Sequence, residues 1–142
     1  VPTTSPTAIT RSNYQRDEKM ILLNIQGTMP GLNDYSGAER RHRHIAAKMK
    51  HEETSRVAWV AKTQLPVFTG PIHLTITYRE KNRKRDKDNI AFAKKFILDG
   101  LVQAGRIPND TWAWIDGWRE AFVVDTKDPG ITVIIKEIKE KS

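Results

Sequence analysis

Two aspartates one residue apart, Asp86 and Asp88, lie inside the most basic run of the chain, Arg83-Lys84-Arg85-Asp86-Lys87-Asp88-Asn89. An extended backbone sends side chains i and i+2 to the same side, roughly 7 Å apart. That spacing predicts that the two carboxylates converge on one point. Like charges held together are costly unless something positive lies between them. Magnesium is the usual solution, because it prefers oxygen ligands and is commonly held by one or two carboxylates with water and phosphate. The surrounding lysines and arginines suit phosphate. Acid at the centre with base around it is what a metal-dependent enzyme acting on nucleic acid needs. The plainer readings are that Asp88 is a helix N-cap and that Asn109-Asp110, further on, is turn chemistry.

Strand and helix signals flank these residues. Ile72, Leu74, Ile76 and Tyr78 alternate with His73, Thr75 and Thr77, which predicts a half-exposed strand running straight into the acid-centred stretch. A helix is expected from about Asn89 to Ala104, with Gly105 as its stop. Its apolar stripe is Ile90, Ala93, Ile97, Leu101 and Ala104, with Phe96 adjoining. On a helical wheel Lys95 and Asp99 each fall within about 20° of Asp88, either as a functional line or as a surface pair worth a few tenths of a kcal/mol.

The rest of the chain reads as follows. Residues 1–18 are expected to form a mobile arm. Met20 to Ile25 reads as a first, well-buried strand, closed by Gly27-Thr28-Met29-Pro30-Gly31. One long helix is expected from about Ala38 to Thr63, with Ile45, Met49, Val57, Val60 and Ala61 as its core stripe and Ala46 and Ala58 alongside. Trp112, Trp114 and Trp118 are expected to be packing residues, with base stacking or a dimer contact as the alternative. Gly117 to Val124 and Ile131 to Ile138 read as a closing hairpin around Asp128-Pro129-Gly130, followed by a solvated tail. The elements run β-α-β-α-β-β. They predict an α+β fold: a single compact domain over residues 19–142, with a small mixed sheet of about four strands packed with two main helices.

The chain has 142 residues and a formal charge of +7, which points to a polyanionic partner, nucleic acid first. It has no cysteine, which excludes disulfides and thiolate metal sites and fits a reducing cytosol. No apolar run approaches the roughly 18 residues of a membrane span, and the N-terminus lacks the apolar core of a signal peptide. The run Arg40-Arg41-His42-Arg43-His44 faces either DNA phosphates or water. His42, His44 and His51 lack a good third ligand for zinc and read as surface or phosphate-contacting histidines.

Arg85-Asp86-Lys87-Asp88-Asn89, then Lys95, Phe96-Ile97-Leu98-Asp99-Gly100-Leu101, Ala104-Gly105 and Asn109-Asp110 together resemble the RusA family of Holliday-junction resolvases, endonucleases of bacteria and their prophages. The family's D-x-D-N, a helix with lysine and an L-D-x-L segment, and a closing acidic pair stand here in that order. The specific part spans roughly residues 83–116. Asn33 is similar in placement to the family's loop asparagine.

The resemblance implies that Asp86, Asp88 and Asp110 bind magnesium, with manganese a possible substitute. It implies that Lys95, with Lys94 adjacent, is the essential lysine. It also implies a homodimer acting on branched DNA in recombination and repair, in the bacterial cytoplasm. Such an enzyme hydrolyses phosphodiesters, and Lys95 contacts the scissile phosphate or the leaving oxygen. Arg40, Arg41, Arg43, Lys81, Arg83, Lys84, Arg85 and Lys87 are the expected phosphate contacts along the substrate arms. Two other readings stand beside it: a non-catalytic nucleic-acid-binding module, and a basic protein that assembles with an acidic partner. The first does not explain aspartates placed where they repel phosphate unless a metal intervenes, and the second explains them only as caps and turns.

Overall fold

The computed structural model describes residues 20–138; the expected arm over 1–18 and the end of the tail lie outside them. The elements in chain order are β1 (Met20–Gln26), α1 (Leu32–Arg41), α2 (Arg43–Gln64), β2 (Ile72–Glu80), α3 (Lys87–Ala91), α4 (Ala93–Gln103), β3 (Ile115–Val124) and β4 (Gly130–Glu137). The strands form one mixed sheet in the order β1-β4-β2-β3, with β4 antiparallel to both neighbours and β2 parallel to β3. The α+β class and the four-stranded sheet are as the sequence indicates.

Period-2 burial sets the sheet. Ile72, Leu74, Ile76 and Tyr78 of β2, with Leu23, Ile25, Ile131, Val133 and Ile135 beside them, point into the core. Each such side chain contributes about 1.5–3 kcal/mol on burial. β1 is half-buried rather than fully buried, because Met20 and Leu22 point to the face of the sheet away from the core, where they are 68% and 55% exposed. Its free edge is met by α2. The Gln64 side chain accepts from the Asn24 N–H (2.8 Å) and donates to the Asn24 carbonyl (3.2 Å), replacing a strand partner and blocking edge pairing.

The expected β3–β4 hairpin does not form. β3 pairs with β2, and residues 125–129 arch over the end of β2 to bring the chain to the far side of that strand. The Asp125 N–H donates to the Glu80 carbonyl (2.8 Å), and Arg79 Nε donates to the Asp128 carbonyl (3.0 Å). The composition of each strand explains the choice. β4 buries Ile131, Val133 and Ile135 and suits the interior, whereas β3 carries Asp116, Arg119 and Glu120 and suits an edge.

Both expected long helices are interrupted. His42 is extended (φ −165°, ψ 127°), so its N–H closes α1 on the Ala38 carbonyl and its own carbonyl accepts from the Ile45 N–H (3.1 Å) to open α2. A continuous helix would place Arg40 and His44, four residues apart, on one face; with the break the His42 and His44 rings lie 3.9 Å apart. The phase of α2 then buries Ala46, Thr54, Val57, Ala58 and Ala61 and leaves Ile45 38% exposed. The second break, at Phe92, keeps the helical path (φ −57°, ψ −26°) but changes the bonding, and every residue of the expected apolar stripe is buried.

α4 packs on α2 where Gly100 meets Val57 and the Thr54 carbonyl. A methyl at Gly100 would run into Val57 Cβ and Cγ1, and a β-branched side chain has little rotamer freedom to yield. Gly100→Ala is therefore expected to lower stability by about 1–3 kcal/mol despite its gain in helix propensity. Urea melts of the two proteins check this, and an unchanged midpoint would count against the packing described.

Candidate active site

The functional residues read from the sequence lie on the connection from β2 to β3. A parallel pair needs a long crossover, and residues 81–114 supply it. Three attachments hold its first half. Arg85 grips the buried Glu80 carboxylate through Nε (3.0 Å) and Nη2 (2.8 Å) and donates Nη1 to the Met29 carbonyl (3.0 Å). Asn89 Oδ1 accepts from the Asn33 N–H at the start of α1 (2.8 Å). Buried Gly31 lies flat against Asn89, where a Cβ would meet the Asn89 side chain and carbonyl. The Asn33 named in the sequence thus touches the D-x-D-N stretch through its backbone.

Asp86 is extended (φ −70°, ψ 155°) and is the N-cap position of α3, while Asp88 lies in the first turn of that helix. The expected extended geometry across the pair is corrected here: Asp88 is helical, and in a helix i and i+2 do not face each other. Asp86 lines a hollow with Glu80, Asn82, Arg83, Lys87 and Phe122. Asp88 accepts from the Asn89 N–H (2.9 Å). Asp110 lies elsewhere on the crossover, in a cleft of about 600 Å³ between α2 and α4 that it shares with Lys95, Asp99, Asn109 and His51. Thr54 lines the same cleft, and its Oγ1 is buried without a hydrogen-bond partner. Lys95, Asp99 and Asp110 are therefore brought to one cleft and Asp86 to a separate hollow with no lining residue in common, while Asp88 lines neither.

The two adjacent lysines separate cleanly. Lys94 Nζ lies 3.3 Å from Glu120 and 4.2 Å from the centroid of the Trp118 ring. Glu120 also accepts from the Tyr78 hydroxyl (2.7 Å). Burial, with that hydrogen bond and the Glu120 charge adding to it, pushes the Tyr78 hydroxyl well above the usual phenol range. Lys94 is thus built into the contact between α4 and β3. Lys95 is half-exposed, is held only by Asp99 one turn away (3.4 Å), and faces the cleft of Asp110.

Magnesium asks for hard oxygen donors and keeps much of its own water. The carboxylates of Asp86, Asp88 and Asp110 are exposed, and no lysine or arginine among the described residues pairs with them, although Asp86 and Asp88 sit in the most basic run. In donor chemistry they fit the ion. They do not form a ready-made cage: no group of three such side chains close enough to hold a metal occurs among the described residues.

Of the expected phosphate contacts, Arg40, Arg41, Arg43, Lys81, Arg83, Lys84 and Lys87 are exposed. Arg85 differs, since its charge is already met by Glu80. Trp112 is not a packing residue: it is 98% exposed, and Trp118 is 44% exposed. Asp99 stood in the sequence on a polar line with Asp88 and Lys95 but was not named as a site residue. His51 was read only as a surface or phosphate-contacting histidine and Thr54 carried no signal, because their place in the Lys95 cleft depends on how α2 packs against α4. No helix among the described residues is long and apolar enough to cross a membrane. No protein-family model matches the chain, and no curated protein matches it.

The two lysines provide a test of this geometry. Lys94→Met loses an ion pair and a cation–π contact and is expected to destabilise the fold by about 1 kcal/mol. Lys95→Met is expected to stay within about 0.5 kcal/mol of the parent. Equal urea midpoints for the two variants would overturn the assignment.

Proposed function

We propose that the protein is a magnesium-dependent, structure-selective endonuclease that resolves four-way DNA junctions by paired hydrolysis of phosphodiester bonds, in DNA recombination and repair. The observation that carries this reading is the placement of Asp86, Asp88, Lys95 and Asp110 on one crossover, with three carboxylates free of cationic partners beside a surface rich in free cations. Carboxylates placed next to phosphate repel it unless a metal joins them.

In this reading Asp86, Asp88 and Asp110 hold magnesium, or manganese in its place. Bound there, the ion would supply positive charge at the phosphate and a more acidic water. Lys95 sets its ammonium at the scissile phosphate or the leaving oxygen as a point charge, and Asp99 holds it over the cleft (3.4 Å). Arg40, Arg41, Arg43, Lys81, Arg83, Lys84 and Lys87 hold the substrate arms by their phosphates. Arg85 serves the loop instead. A homodimer matches a four-way junction because two symmetry-related strands must be cut at matched positions. The bacterial cytoplasm is the expected setting.

The test is cleavage of a synthetic four-way junction against plain duplex of the same sequence. Paired symmetric nicks in the junction alone are expected with magnesium. Asp88→Asn and Asp110→Asn are expected to abolish them while junction binding survives, and Lys95→Met to slow them by about 10²–10³-fold. Junction affinity is expected to fall roughly 10³-fold between 50 and 200 mM salt. Tight binding with no cutting, in magnesium and in manganese and across several junction sequences, would replace the enzyme with a non-catalytic binding module.

A further inference from the structure

We propose that the hollow beside Asp110 receives one unpaired nucleobase of DNA, with Trp112 stacked on its face and Asp116 reading its edge. This rests on the DNA reading above and names what the site does with bases rather than phosphates.

Trp112 is almost fully exposed, at 98%, two residues from Asp110. It does not hang from a loose loop. Asn109 Oδ1 accepts from both the Thr111 N–H (3.2 Å) and the Thr111 hydroxyl (2.6 Å). The Thr111 carbonyl accepts from the N–H groups of Trp114 and Ile115, at 2.9 Å each. The turn that presents the indole is thus braced on both sides of it. Beside it lies a hollow of about 420 Å³, walled by Leu98, Ile115, Trp112 and Trp118, with Asp110 and Asp116 among its lining. Trp118 is held from its other surroundings by the Lys94 ammonium.

The backbone at Asp116 is irregular in the same place. Ile72 pairs with Ile115 and His73 with Gly117, so Asp116 is an extra residue with no partner across the ladder. Such bulges re-aim a side chain. The charge of the hollow selects its occupant. Two carboxylates repel phosphate, whereas a base is uncharged, has a face that stacks on indole, and carries amino N–H donors that a carboxylate accepts. Thymine offers a carboxylate only its single imide N–H, flanked by two carbonyl oxygens that repel it, so cytosine, adenine and guanine, with their amino groups, are favoured over it.

The test uses the full chain without divalent metal, titrated into single strands and four-way junctions carrying one 2-aminopurine, and into oligo-dC and oligo-dT. Wild type is expected to quench the probe and to prefer oligo-dC. Trp112→Ala is expected to lose the quenching and about tenfold or more in single-strand affinity, with Trp112→Phe restoring most of both. Asp116→Asn is expected to erase the preference for dC over dT. An exposed side chain carries no packing, so the urea midpoint of Trp112→Ala is expected to match the parent.

Unchanged quenching and affinity in Trp112→Ala would overturn the proposal. So would a shift from dimer to monomer in sedimentation with DNA binding intact, which would make the hollow a contact between copies. The two readings fail separately. A protein that stacks the base but never cuts a junction keeps this inference and loses the nuclease. A protein that cuts equally well with and without Trp112, and stacks no base, does the reverse.

Discussion

The parallel pairing of β2 with β3 is the constraint on which the rest depends. Two parallel neighbours cannot be joined by a tight turn, so the chain must leave the end of β2, travel back across the core and re-enter beside Ile72. The crossover is tied down along its length. Arg85 fastens its beginning to Glu80 and Met29, and Asn89 fastens α3 to α1. Gly100 seats α4 on α2. Arg106 bonds the Leu65 carbonyl (2.9 Å), and the Ile72 N–H reaches the Trp114 carbonyl (2.9 Å). Side chains carried by so braced a connection hold their places without needing one another, which is why exposed carboxylates can persist on it.

The positive charge divides by chemistry. Four arginines are turned inward or along the backbone: Arg56 over the carbonyls that end β1, Arg79 across Asn24, Thr132 and Asp128, Arg85 on Glu80 and Met29, and Arg106 on Leu65 and Ala104. A planar guanidinium with five donors can satisfy several carbonyls at once, which an ammonium does less well. The exposed cations include those of the loop after β2 and those around the α1–α2 break. Formal charge alone therefore overstates how much of the protein is free to meet a polyanion.

The apolar pattern of the sequence determined a good deal. Alternation in Ile72–Tyr78 and the stripe through Ile90, Ala93, Ile97 and Leu101 named core faces that are all buried, because period 2 and period 3.6 are local properties of the backbone. With them came the α+β class, the strand count, and the position of the acid-centred stretch between a strand end and a helix.

What tertiary structure decided was which elements meet. Local alternation says which face of a strand is buried but not which strand lies beside it, so the hairpin expected of β3 and β4 gave way to a crossover. Lys94 and Lys95 are indistinguishable in sequence. They part because one residue of helix is a turn of about 100°, which sends the first to Glu120 and Trp118 and the second to the cleft of Asp110. Arg85 reads as one more cation in a basic run until the buried Glu80 is seen beneath it, and Trp112 reads as core until nothing is found to cover it. In each case the deciding quantity is a long-range contact, set by the packing of the whole chain and by no residue within a few positions of the one in question.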